Sequence, residues 1–277
     1  LWHIVSLSFR LFTIALVWKL LGYFKCSHHA RIIGTLFIAF FPAFPESQLI
    51  FAETLLVPFL VISYIGFMEM YKEEVVHNTK TSLAVITAVS FILATMCKEI
   101  LAPLSLVFLV SFYFALWRKQ KYFLKTLYII MSLATLLQLQ RCSMTIFQPY
   151  AHGNENTGHS FTGMIINLLW ILGDSFLLRT NIAPTTVLLF FFSSIGIYQL
   201  VRMLKNKNTL NVVAFLCLFS FITCVAIHIL TPYRALRYLY PGAILLVPII
   251  AYGYDAFFPS KTRIKRWIFR YLVCAIF

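Results

Sequence analysis

Basic residues gather in every second gap between long apolar stretches, and only a chain threaded repeatedly through a membrane needs that alternation. One set of gaps holds Lys25 and Arg31, then Lys72 and Lys80, then Arg118, Lys119, Lys121 and Lys125, then Arg202, Lys205 and Lys207, and finally Lys261, Arg263, Lys265, Arg266 and Arg270. The intervening gaps hold only Lys98, Arg141, Arg179, Arg234 and Arg237, and the first stretch contains Arg10 and Lys19. Positive residues stay on the cytoplasmic side, so the first set is expected inside and the amino-terminal end of the first stretch outside. Lys19 reaches the cytoplasmic interface by snorkelling.

With 61% hydrophobic and 12% charged residues over 277 positions, and a mean hydropathy of +0.85, the chain falls in the integral-membrane class. Backbone groups in lipid need internal partners, and the abundance of Leu, Ile, Phe and Ala favours helices over a barrel. The expected fold is an all-α, polytopic transmembrane bundle forming one domain over 1–277. About nine spans fit, near 4–24, 32–44, 49–67, 83–97, 104–117, 123–139, 186–201, 210–230 and 239–257. A segment over 164–178, interrupted by Gly173 and Asp174, reads as a re-entrant or interfacial helix, because a full crossing there reverses the charge alternation downstream.

A net charge of +14 would suit nucleic acid if it were clustered, but these bases are spread through short gaps, as anionic membrane lipids require. Nucleic acid is therefore not an expected partner. The six cysteines, Cys26, Cys97, Cys142, Cys217, Cys224 and Cys274, form no CxxC pair and fall mostly in apolar stretches, as buried free thiols do. The chain opens without Met and stops inside the apolar stretch 267–277, which reads as a fragment incomplete at both ends.

Charges on the basic-poor side have no part in orientation and are costly near lipid, so each raises a functional question. Pro45 opens a helix and Glu46 suits its first turn through the helix dipole. Glu53, seven residues on, sits roughly 10 Å deeper on nearly the same face. It serves either a polar site or an interhelical hydrogen bond. Lys98 and Glu99 are adjacent, face different ways, and need separate partners; Lys98 suits either a phosphate or a lipid headgroup. Arg234 and Arg237 follow Pro232 at a spacing of three and form an anion clamp, set among Tyr233, Tyr238 and Tyr240, which an aromatic belt also explains. His152, Glu155 and His159 lack metal-site spacing and read as solvated loop residues, and His228 as a hydrogen-bonded core residue.

The stretches Ala39-Phe40-Phe41-Pro42, Phe51-Ala52-Glu53-Thr54-Leu55, Ala94-Thr95-Met96-Cys97-Lys98-Glu99 and Arg237-Tyr238-Leu239-Tyr240-Pro241, with Arg10 ahead of them, are similar in order to the GT-C superfamily. These are polyprenyl-phosphate-sugar-dependent glycosyltransferases, including protein O-mannosyltransferases and lipid A aminoarabinose transferases. The resemblance implies inverting sugar transfer from a polyprenyl-phosphate donor to a lipid, glycan or protein acceptor on the extracytoplasmic face. It implies that Lys98, Arg234, Arg237 and Tyr238 bind the donor phosphate, and that Glu46, Glu53 and Glu99 orient the acceptor, sugar hydroxyls or a divalent metal ion, which some members use. The family's catalytic Asp lies in a loop upstream of the helix that matches 4–24, so the catalytic residue is expected before Leu1 and this stretch alone is expected inactive. A bacterial inner membrane is the expected setting, with the endoplasmic reticulum as the alternative. An O-antigen ligase or polymerase, or a transporter, are the competing classes; a transporter is expected to show internal repeats, and none is visible.

Overall fold

The computed structural model describes residues 2–39, 51–71, 81–97, 102–116, 122–147, 162–163, 165, 183–205, 219, 222, 226, 240–258 and 263–276. Among the described residues every regular element is helical. In chain order these are α1 (Trp2–Tyr23), α2 (His28–Ala39), α3 (Phe51–Tyr71), α4 (Thr81–Cys97), α5 (Ala102–Leu116), α6 (Tyr122–Phe147), α7 (Ala183–Lys205), α8 (Tyr240–Phe257) and α9 (Arg263–Ile276). Proline is the second residue of α5 (Pro103), α7 (Pro184) and α8 (Pro241), where its missing N–H costs no helical bond. Among the described residues one helix, over Ile4–Tyr23 with a mean hydropathy of 1.8, is long and apolar enough on its own to cross a membrane; Leu55–Met70, Thr81–Cys97, Pro103–Tyr113 and Ile244–Phe257 are shorter apolar helices.

The turn from α1 to α2 is defined by local bonding. Lys25 adopts a left-handed conformation (φ 54°), its N–H reaches the Gly22 carbonyl at 3.0 Å, and the Cys26 N–H reaches the Leu21 carbonyl at 3.3 Å. That pattern closes the end of α1. The Ser27 hydroxyl then accepts the Ala30 N–H at 3.3 Å and caps α2.

Packing radiates from α1, which meets α2, α3 and α8. On one side α2 packs on α8, and α8 on α7; on the other α3 packs on α4, and α4 on α5 and α6. In these rows α2 and α8, and α3 and α4, are antiparallel, as paired residues show. Ser27 meets Asp255 while Gly34 faces Val247, and Gly66 faces Thr87 while Leu60 lies beside Ala94. Close approach depends on missing side chains, as it does between membrane helices. A Cβ at Gly253 would overlap the Phe192 carbonyl, and one at Gly196 would overlap the Ile249 carbonyl, so α7 and α8 touch backbone to backbone. Phe67, Phe91, Phe108 and Phe112 fill the α3–α4–α5 core, with the Phe91 and Phe108 rings stacked at 4.8 Å. Large apolar side chains also face outward: Ile4, Leu7 and Leu11 on α1, Ile86 and Met96 on α4, Leu133, Leu136 and Leu137 on α6.

Three expectations need correction. The Phe192–Gly253 and Gly196–Ile249 pairings make α7 antiparallel to α8, so Arg202 and Lys205 lie at the end away from Asp255 and from Lys25. The charge count put both sets of bases on one side because it assumed a single crossing at 210–230, and a single crossing does not join Lys205 to Tyr240 at the same end. α6 continues past the expected stop at 139 to Phe147, carrying Arg141 on an exposed face rather than in a gap. The stretch expected as apolar from 267 is instead the strongly amphipathic α9, which begins at Arg263. The expected helix at 164–178 and the span at 210–230 lie outside the described residues except at 165, 219, 222 and 226.

Candidate functional site

The two ends of the bundle differ in chemistry. At the end that carries Lys25, the carboxylate of Asp255 near the close of α8 accepts the Ser27 N–H at 2.5 Å and the Ser27 hydroxyl at 2.5 Å. Lys265 of α9 reaches the same carboxylate at 3.2 Å and donates to the Phe258 carbonyl at 2.8 Å. The Tyr254 hydroxyl donates to the Lys265 carbonyl at 3.2 Å, and the Lys265 ammonium lies 5.1 Å from the Tyr254 ring. These bonds tie the α1–α2 turn, the end of α8 and the start of α9 into one knot. Beside it Cys26 is buried, and burial chiefly, with Asp255 adding and Arg31 opposing, pushes its thiol up to about 12. Arg31 is held by the Cys26 carbonyl at 3.0 Å and lies 5.9 Å from the Trp18 ring. Tyr23 donates to the Glu69 carboxylate, which brings the end of α3 to this same end. Among the described residues the acids at this end, Glu69 and Asp255, are each matched to a donor, as in a structural clasp.

The opposite end is where the described helices present the ends that border the charged stretches. The Arg10 guanidinium donates to the carbonyl of Ala39, the last residue of α2. Glu53 occupies the first turn of α3, and the antiparallel pairing of α3 with α4 brings that turn to the end where α4 stops at Cys97. Tyr240 begins α8 at this end as well. Below the rim, a narrow crevice of about 10 Å³, roughly the room for one water molecule, opens between α3, α4 and α5, lined by Leu60, Tyr64, Ala94, Thr95, Leu104 and Ser105. Its walls are mostly hydrocarbon; the Thr95 hydroxyl is turned to the Ile92 carbonyl at 2.9 Å.

Of the residues expected to form the site, Glu53 has its backbone in α3, while Glu46, Lys98, Glu99, Arg234, Arg237 and Tyr238 lie outside the described residues, as do His152, Glu155, His159 and His228. Among the described residues no three His, Cys, Asp or Glu side chains converge as metal ligands. Cys26, Cys97 and Cys274 are free thiols. The Asp255–Lys265–Ser27 clasp is absent from the expectations above. Its signal was present: Asp255 is the only acid after Asp174, and it lies ten residues before Lys265. Compared with known protein families, curated proteins and solved structures, the chain matches none.

Proposed function

We propose that the chain is the membrane-embedded part of a polytopic transferase that moves a sugar from a polyprenyl-phosphate donor to an extracytoplasmic lipid, glycan or protein acceptor. One observation carries the reading. Ala39 and Phe51 bracket Glu46, Cys97 and Ala102 bracket Lys98 and Glu99, and Tyr240 follows Arg237 and Tyr238; these bordering residues all lie at the end away from Asp255. The described ends from which these segments depart thus share a single rim. The outward Ile, Leu and Met side chains of α1, α4 and α6 support lipid around about nine spans.

On this reading Lys98, Arg234 and Arg237 bind the donor phosphate and stabilise the negative charge that develops on it as the anomeric carbon is attacked. Tyr238 donates to the same phosphate. Glu46, Glu53 and Glu99 hold sugar hydroxyls, the acceptor or a divalent cation. A bacterial inner membrane, with the site facing outward, is the proposed setting.

The test is donor binding by this chain in nanodiscs, with polyprenyl phosphate as the probe. Charge-assisted hydrogen bonds contribute about 1.5–3 kcal/mol each, so Lys98→Ala and Arg237→Ala should each weaken binding by roughly tenfold to a hundredfold. Wild-type affinity in both variants, with the fold intact, would remove these residues from the site and the transferase reading with them.

A further inference from the structure

α9 exposes two kinds of side chain on adjoining flanks of one face. At about 100° per residue, Arg266, Arg270 and Arg263 fall together on one flank, and Trp267, Tyr271 and Ile264 fall together on the next. All six are exposed, Ile264 by 64% and Trp267 by 67%. The opposite face is fastened to the bundle. Leu272 is fully buried, Lys265 is bonded to Asp255 and Phe258, and the Phe269 ring lies 4.4 Å from that of His29. Because these fastenings are on the far side, α9 cannot roll to hide either exposed flank. Among the described residues, no acid lies within ion-pair distance of Arg263, Arg266 or Arg270.

We propose that α9 lies in the headgroup layer at the Asp255 end of the bundle and binds anionic phospholipid, with the three arginines on phosphates and Trp267, Tyr271 and Ile264 at the acyl boundary. Length argues for lying flat: 14 residues span about 21 Å, less than the roughly 30 Å hydrocarbon core, and three fixed charges resist immersion. Composition argues for an interface, since a basic flank beside an aromatic and aliphatic flank matches both layers of a leaflet surface at once. Three adjacent guanidinium groups select anionic over zwitterionic headgroups. An acidic soluble protein would satisfy the arginines but leave the use of Ile264 and Trp267 unexplained. The site is at the other end from the proposed donor rim and stands independently of it.

The test uses the whole chain in nanodiscs of phosphatidylcholine, with or without phosphatidylglycerol. A nitroxide at Ile264→Cys or Tyr271→Cys, in a Cys274→Ser background, should be relaxed by oxygen and shielded from a water-soluble nickel chelate. The preference for phosphatidylglycerol over phosphatidylcholine, read from lipids retained in native mass spectrometry, should fall about fivefold for each of Arg263→Gln, Arg266→Gln and Arg270→Gln. The Lys265 bonds are untouched by these changes, so folding is preserved. Nickel-accessible labels overturn the proposal. So does undiminished phosphatidylglycerol preference in the triple variant, or shielding that grows with protein concentration, which would mean a second copy covers α9.

Discussion

Asp255→Asn tests the clasp most directly, because one carboxylate serves three donors. In the native protein it takes the Ser27 N–H and hydroxyl at 2.5 Å each and the Lys265 ammonium at 3.2 Å. Asparagine keeps the shape and one acceptor oxygen but removes the charge, leaving Lys265 with the Phe258 carbonyl from its described bonds. The Lys265 side chain is only 9% exposed, so water cannot readily replace the lost partner. Breaking a fully buried pair costs about 3–5 kcal/mol. Asp255 is 21% exposed, and the solvent that reaches it lowers the expected loss to about 2–3 kcal/mol. Reversible denaturation in mixed micelles measures it. The double variant Asp255→Asn with Lys265→Met removes both charges, keeps an acceptor oxygen for Ser27, and should lose less than the single change. A stability of Asp255→Asn within about 0.5 kcal/mol of wild type, or a double variant worse than the single one, would refute the argument.

Further outcomes follow from the same contacts. Gly253→Ala forces a methyl against the Phe192 carbonyl and should cost about 1–3 kcal/mol, measured in the same denaturation, whereas an alanine on an exposed helix face should be nearly neutral. Cys26, with its thiol raised from 9.0 to about 12, should be alkylated at pH 8 far more slowly than exposed Cys274. The unfolded thiol ionises near 9.0 and the folded one near 12, so this group favours the folded state below about 9 and that contribution falls as pH rises from about 9 towards about 12; a stability profile that rises over this window contradicts it. Cysteines introduced at Lys25 and Lys205 should label from opposite sides of a sealed vesicle, as the antiparallel α7 and α8 require; labelling from one side restores the charge-count topology.

The helices were legible because their signals are local. Apolar runs announced where α5, α7 and α8 begin, and those starts lie within about three residues of expectation. Sidedness was less legible, since counting Lys and Arg by gap depends on knowing how many times the chain crosses between them. Arg202 and Lys205 show the failure: the Gly196–Gly253 contact that sets the direction of α7 is a pairing between distant residues, and no local pattern encodes it. The clasp was hidden for a related reason. Lys265 reads as one more base of its gap, and nothing in the sequence pairs it with Asp255 until the turn at Ser27 is brought beside them. At the proposed rim, the sequence suggested which residues matter, and the described helices add the common end from which their segments depart.

The bond between Ser27 and Asp255 spans 228 positions in the chain. At ribosomal speeds of about 5–20 residues per second, the partner of that serine is synthesised roughly 10–50 seconds after it. The turn between α1 and α2 therefore stays unsealed over that interval, without the acceptor that later closes it. Closure then comes late in biogenesis, and a ribosome stalled before Asp255 would release a product that quality-control proteases can recognise by its open turn.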